Sequence, residues 1–370
     1  MEYREEIYFK EFSSKDYEYF VLAADVGGTN TNTAICGVKE KKPVLIFSHH
    51  FQTAQLKNLH EAINETLKTA KERYDIEVQK SCIAGAGPVS EKRNSLNIFI
   101  KANWGIDAKE ILKNTMLKST FIINDFEAVG FGINLLDKNN EKDLIIIPHP
   151  NNYLPKGTEK GVIGVIGAGT GLGKTFLTYD TYLDAYIPNA SEGGHADFPV
   201  ENHFELEMAT FVRNFRNIKE NLNCEQLCSG PGIANIFRFL LASNKLGETE
   251  TSRKIRNASD DDLPGLIGEN YSKCEICRKA MKIFTKNYAK LAKNFCLETM
   301  ATGGLYIAGG IAAKYPNLFK EKMFMASFES VYEFSKILRE IPVYVITNYN
   351  VSLLGAAFAA INLDKWAIKK

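Results

Sequence analysis

Two glycine-rich turns carry the residues best suited to do chemistry. Asp25-Val26-Gly27-Gly28-Thr29-Asn30 ends an apolar run that begins at Tyr19, and Gly167-Ala168-Gly169-Thr170-Gly171-Leu172-Gly173 ends a second that begins at Gly161. In each, glycines let backbone N–H groups approach a ligand closely, and a threonine, Thr29 or Thr170, adds a hydroxyl donor; that combination suits phosphate oxygens. Asp25 closes its run and would reach a Mg²⁺ ion through water, since Mg²⁺ keeps much of its hydration. One Gly-Gly-Thr turn alone is commonly structural, whereas two matched turns with an acid at the strand end point to phosphate binding. Residues 168–175 nearly spell a P-loop, but Ala168 stands where the first glycine belongs and a β-rich segment follows where a helix should. Leu172 breaks the dinucleotide fingerprint in the same way.

The elements that position these turns are β-hairpins. Residues 19–26 read as a strand, and residues 29–36, β-branched and alternating, as its return. Residues 161–166 and 174–179 repeat the design further along, which suggests two related halves. A third glycine segment, residues 305–312, runs from a strand into the turn Gly309-Gly310. Further strands are expected at 81–86, 120–123 and 341–346, and helices at 56–74, 126–136 and 351–361. Cys277, Met281, Phe284, Tyr288, Leu291 and Phe295 recur at steps of four and three, one apolar face of a long helix. The polar stretches 139–157 and 247–265 read as surface loops, and the first 20 residues as a short extension that frays from the fold.

Composition narrows the function. A chain of 370 residues with 45% apolar content suggests two domains with a sizeable core. Lys and Arg total 45 against 44 Asp and Glu, so the chain as a whole offers no basic surface for nucleic acid. Its apolar runs fall far short of the roughly 20 residues that cross a bilayer, so no membrane partner is expected. A small molecule is the default partner, and the charged, aromatic first residues suggest a cytoplasmic chain. Seven cysteines, an odd number, argue for reduced thiols. Cys224-x3-Cys228 and Cys274-x2-Cys277 tempt a zinc reading, but glycine knuckles are missing and Cys277 lies on the apolar helix face, so they read as buried small hydrophobes.

Six segments occur together in one order: residues 25–30, Ile123-Asn124-Asp125-Phe126, residues 167–173, Glu192-Gly193-Gly194-His195, Glu225-x3-Ser229-Gly230-Pro231-Gly232 and Ala308-Gly309-Gly310-Ile311. In that order the chain resembles the bacterial-type glucokinases from about residue 22 to residue 360. The resemblance implies the actin, hexokinase and heat-shock ATPase superfamily. Its fold is α/β, a two-domain actin-like ATPase (ribonuclease H-like) fold with a ligand cleft between a small and a large domain. It implies transfer of the γ-phosphoryl group of ATP to the 6-hydroxyl of D-glucose, with Mg²⁺ accompanying ATP, in a cytoplasmic homodimer whose domains close on the sugar. Residues 1–135 with 352–370 would form the small domain and residues 136–351 the large one. Phosphate and nucleotide contacts would fall to Asp25, Gly27, Gly28, Thr29, Asn30, Gly169, Thr170, Gly171, Gly309 and Gly310.

Phosphoryl transfer to an alcohol needs a positioned hydroxyl and a group to take its proton. The resemblance gives that role to Asp125, which follows a strand and so sits where α/β folds place ligands. Spacing alone fits a helix N-cap equally well. An aspartate of ordinary acidity is already ionised at neutral pH, as a base must be. Sugar hydroxyls both donate and accept, so a glucose pocket should collect carboxylates, amides and imidazole: Asn103, Asn124, Asp125, Glu192, His195 and Glu225. Gly193 and Gly194 would let Glu192 and His195 face one ligand. Glu225 alone looks like a solvated acid at a helix start, and Asn103 matches a sugar-side loop of the family whose following residues differ here.

Three features depart from the family pattern: the N-terminal extension, an insertion at 139–160, and Lys174 after the second turn, expected to point outward from an alternating strand. Competing readings are a broader hexose kinase acting on mannose or glucosamine, a polyphosphate- or ADP-dependent variant, a non-catalytic sugar sensor, and a filament or chaperone ATPase. Sensors of this superfamily carry a helix-turn-helix ahead of the first strand, for which 20 residues are too few, and a cysteine-rich zinc motif that does not follow His195.

Overall fold

The computed structural model describes residues 2–96, 104–243 and 247–367, the side chains of 364–367 excepted. The chain forms two compact units, Met1–Asp137 with Asp180–Ala190 and Asn350–Lys370, and Lys138–Tyr179 with Ser191–Tyr349.

The first unit holds β1 (Arg4–Ile7), β2 (Tyr19–Val26), β3 (Asn30–Lys39), β4 (Lys42–Gln52), β5 (Lys80–Gly85), the short ribbon β6 (Ser95–Leu96) and β7 (Ile106–Asp107), and β8 (Ser119–Asn124). Its main sheet runs β1-β4-β3-β2-β5-β8. β2 pairs antiparallel with β3 and parallel with β5, and β5 pairs parallel with β8. Side chains alternate across a strand, so β2 feeds two cores at once. Leu22, Ala24 and Val26 pack with Leu59, Ile63 and Ala70 of the helix Leu59–Tyr74. Val21 and Ala23 pack with Leu353, Ala356 and Ala357 of the helix Val351–Ala367. That second helix also lies tightly on the helix Asp125–Ile133. A Cβ on Gly355 would stand 1.8 Å from the Ala128 carbonyl oxygen, and one on Gly132 2.4 Å from that of Val351.

In the second unit β9 (Leu144–Ile147), β10 (Ile163–Ala168), β11 (Leu172–Asp180), β13 (Gly304–Ala308) and β14 (Val343–Ile346) run in the order β11-β10-β13-β14-β9. β10 pairs antiparallel with β11 and parallel with β13, which pairs parallel with β14. Each unit thus has a hairpin whose first strand continues into parallel neighbours, as the two glycine turns imply. The helix Glu275–Thr299 carries the expected apolar face, and Tyr288 at its middle donates its hydroxyl to the Ile166 carbonyl at 2.8 Å.

Three expectations are corrected. The N-terminal segment is part of the fold: β1 pairs with β4, Glu5 bonds Arg73, and Tyr17 fills the space a side chain at Gly37 would need. The stretch 139–157 contains β9, whose run Leu144-Ile145-Ile146-Ile147 adds an antiparallel strand to β14. The stretch 247–265 contains a short helix and the start of another; Glu250–Ile255 begins with a capping box between Thr249 and Ser252, and Leu263–Glu269 follows. Charge and Pro264 obscure the helical period in both short pieces. Asp180–Ala190, which the sequence division keeps with the large domain, groups with the first unit and carries most of β12 (Ala185–Ser191). Asn134 holds it there, donating to the Tyr186 carbonyl at 2.9 Å and accepting from the Tyr186 N–H at 2.8 Å.

Candidate active site

In the first unit the site residues collect at the carboxyl ends of β2, β5 and β8. Asp25 pairs with Ala84 and Ala84 with Ile123, so the backbone of Asp25 stands roughly 10 Å, about two strand spacings, from that of Ile123, two residues before Asp125. The first turn closes through Gly27 N–H to the Asn30 carbonyl at 2.9 Å. Thr53 pins it from behind: its hydroxyl donates to the Gly27 carbonyl at 2.8 Å, and its N–H to that of Thr29 at 2.9 Å. Thr29 and Asn30 remain exposed at the tip. Nothing in the sequence around Thr53 announces that contact, which depends on the length of β4.

Burial pushes the Asp25 carboxyl up to about 6, with the Ser352 hydroxyl pulling the other way. Among the described residues no ion pair offsets this desolvation, and no cluster of three or more metal-ligating side chains occurs. One desolvated carboxylate beside a glycine turn fits a Mg²⁺ ion that would take its other ligands from phosphates and water.

Asn124 is the N-cap of the helix Asp125–Ile133 and Asp125 its first residue. The Asn124 side chain accepts from Phe126 N–H at 2.8 Å and donates to the Gly87 carbonyl at 3.1 Å. Each of its polar atoms retains capacity for one further bond. Asp125 Oδ1 also accepts from Phe126 N–H, at 2.9 Å. Glu127, 3% exposed, completes the capping box by accepting from Asn124 N–H at 3.0 Å. Arg93 meets the same carboxylate with two bonds, at 3.0 and 2.8 Å. The backbone from Asn124 to Asp125 is therefore fixed by an ion pair that sequence reading missed. The spacing of Glu127 three residues after the cap was its one visible signal.

In the second unit Gly169 N–H donates to the Gly171 carbonyl at 2.9 Å, and Gly230 N–H to the Gly169 carbonyl at 2.8 Å. The latter sets the start of the helix Gly230–Ala242, capped by Ser229, beside the second turn. The turn Gly309-Gly310 reaches the same place. Gly309 has φ +90° and lies so close to Ala168 that a Cβ would stand 2.4 Å from its carbonyl oxygen, while Gly310 faces open space.

Glu225 accepts from Leu172 N–H at 3.0 Å and occupies the space beside Gly171, 2.7 Å from where a Cβ would be. Its carboxylate is thus engaged with the backbone of the second glycine turn. Glu192 and His195 lie on a one-turn helix, both well exposed, with His195 Nε2 3.9 Å from Glu192 Oε2. Asn223 joins this turn to that of Glu225, its amide 3.4 Å from His195 Nδ1, and Cys224 N–H donates to the Ala196 carbonyl at 2.8 Å. Gly194 is demanded by packing, since a Cβ there would lie 1.8 Å from the Leu172 carbonyl oxygen.

Lys174 does not point outward. It is 5% exposed, with its ammonium 5.5 Å from the Phe295 ring, and its Cδ lies 2.9 Å from where a Gly193 Cβ would be. The strand's outward face is covered here by the Glu192–His195 turn, which turns a nominal surface position into a buried one. Asn103 lies outside the described residues. Among the described residues no helix is long and apolar enough to cross a membrane.

The glucokinase family model matches residues 22–363. The chain belongs to the glucokinase family. It is 31% identical to a glucokinase of Nostoc punctiforme over 355 residues, 93% of this chain and 99% of that one. Among solved structures, glucokinase from an Antarctic psychrotroph aligns with a TM-score of 0.72 at 25% identity, covering 93% of this chain and 99% of that one. Glucokinase from Balamuthia mandrillaris, solved in complex with glucose, shares the fold with a TM-score of 0.76 at 20% identity, covering 92% of this chain and 93% of that one. The two-domain actin-like ATPase fold is thereby that of this glucokinase-family chain.

Proposed function

We propose that the chain transfers the γ-phosphoryl group of ATP to the 6-hydroxyl of D-glucose, with Asp125 as the general base. The observation that carries the assignment of the base is the position of Asp125 at the carboxyl end of β8, first in its helix, on a backbone fixed by Asn124, Glu127 and Arg93. A base acts only within hydrogen-bonding reach of the proton it takes, and a fixed backbone at Asp125 supports that role. The carboxylate accepts the 6-hydroxyl proton as the oxygen bonds to phosphorus, and ADP leaves with the electron pair of the broken P–O bond.

Phosphate oxygens are received by backbone N–H groups and hydroxyls of residues 27–30 in the first unit and 169–171 in the second. A Mg²⁺ ion, held on Asp25 through water, would neutralise charge on the phosphates. Glu225 contributes chiefly by holding the second turn open through Leu172, and by carrying the turn beside His195. Glu192 and His195, exposed and adjacent, offer the acceptor and donor pair a sugar's vicinal hydroxyls require. The homodimer and the cytoplasmic location rest on the family resemblance.

A coupled assay of ADP release tests this reading, with glucose, mannose, glucosamine and fructose as acceptors and with ADP or polyphosphate replacing ATP in parallel. Turnover confined to ATP and glucose is the expected result. Glucose binding without turnover under any donor would return the chain to the sensor class.

A further inference from the structure

The pair Cys274 and Cys277 takes no part in phosphoryl transfer. Cys274 is the N-cap of the 25-residue helix Glu275–Thr299, and Cys277 is its third residue. That spacing puts the two side chains on one face of the first turn, with Cβ atoms about 5–6 Å apart, so that a disulfide requires the N-cap backbone to close that gap by about 1–2 Å. Thr249 Oγ1 stands 3.5 Å from Cys274 Sγ. The Cys277 thiol interacts with the same sulfur.

The two thiols are unequal. Burial pushes Cys274 up, but the neighbouring Cys277 and Thr249 side chains and the amide groups at the helix start outweigh it, and the net direction is down. Burial and the neighbouring Cys274 push Cys277 strongly up. Cys36, Cys82, Cys224, Cys228 and Cys296 are all pushed up by burial. One thiol favouring the thiolate beside one that keeps its proton is the arrangement found in Cys-x-x-Cys dithiols.

We propose that Cys274 and Cys277 form a reversible disulfide, with hydrogen peroxide as the oxidant. The Cys274 thiolate attacks one peroxide oxygen, the O–O bond breaks, and the departing hydroxide takes a proton to become water, leaving a sulfenic acid. The Cys277 sulfur then displaces the sulfenic hydroxyl, forming the S–S bond and releasing a second water that carries off the Cys277 proton. Two thiols lose two electrons, and one peroxide bond gains them. Both side chains are 0% exposed, so the oxidant must be close to water in size.

The test exposes the full chain to hydrogen peroxide, unfolds it in an alkylating agent, and weighs the peptide spanning residues 274–277. The expected result is loss of two hydrogens from that peptide, reversed by dithiothreitol, at a rate at least ~10-fold above oxidation of the other cysteines. A Cys277→Ser variant should stop at the sulfenic acid on Cys274, trapped by dimedone. Should that variant fail to fold, Cys274→Ser serves instead and should leave Cys277 alkylatable after peroxide. Both thiols remaining alkylatable in the treated wild-type chain would overturn the proposal, as would Cys277 oxidising at an undiminished rate without Cys274.

Discussion

Replacing Arg93 with methionine should damage catalysis without touching a substrate. Glu127 accepts three hydrogen bonds in a site where it is 3% exposed, two from Arg93 and one from Asn124 N–H. Removing Arg93 leaves that carboxylate with a single partner. Breaking a buried pair costs about 3–5 kcal/mol. The Arg93 side chain is 35% exposed, so water will solvate part of the vacated site, and a loss of about 2–3 kcal/mol is expected. Part of that loss appears as slackness at Asn124 and Asp125. A displacement of about 1 Å in a reacting group can cost on the order of 100-fold in rate. The Arg93→Met variant should therefore lose about 10- to 100-fold in kcat while the KM for glucose changes less than about threefold. Urea unfolding measures the stability and a coupled assay at saturating ATP the rate. A cycle with Glu127→Gln and the double variant should return a coupling of at least about 1 kcal/mol. Purely additive losses, or an Arg93→Met variant with wild-type kcat, would refute the argument that this ion pair positions Asp125.

Other outcomes follow from the same geometry. The folded value of Asp25, about 6, lies above the ordinary carboxylate value, so the folded state holds an extra proton between about pH 4 and pH 6 and stability from this group falls as pH rises through that window. Asp25→Asn should therefore raise the melting temperature of the ligand-free chain at pH 7.5, by about 2 kcal/mol in stability, with no gain at pH 4, while abolishing Mg²⁺-dependent turnover. Gly194→Ala should destabilise the Glu192–His195 turn, because its methyl group would collide with the Leu172 carbonyl, and calorimetry should show weakened glucose binding. His195→Ala should raise the KM for glucose while leaving that for ATP within about twofold, as read from initial rates. Lys174→Met keeps the stem beneath Gly193 and should preserve the KM for glucose, whereas Lys174→Ala should raise it.

The parts of this fold that could be read from residue order are those in which local pattern and tertiary role agree. The two hairpins show both their alternation and their glycine turns, and the helix Glu275–Thr299 carries its apolar face through about five turns of regular spacing. Elements whose reason lies elsewhere in the chain were hidden. β9 exists because β14 offers it an edge, and β1 because β4 does. Lys174 is buried because a turn far along the chain lies over its strand. Within the candidate site, the placement of Asp125 after a strand and of the glycine turns at hairpin tips was legible from residue types and neighbours. Arg93 and Thr53 were not, since each acts through a contact across the fold. Glu225 was visible as a residue, but its bond to Leu172 N–H depends on a close approach that only Gly171 permits.

The central claim rests on Asp125, and the most direct measurement compares glucose binding and turnover in Asp125→Asn. Titration calorimetry should give glucose affinity within a few-fold of wild type, while kcat falls by about 100- to 10,000-fold, the usual contribution of a positioned base. A variant that binds glucose and retains more than about a tenth of wild-type kcat would contradict the account, because the 6-hydroxyl proton would then have another acceptor.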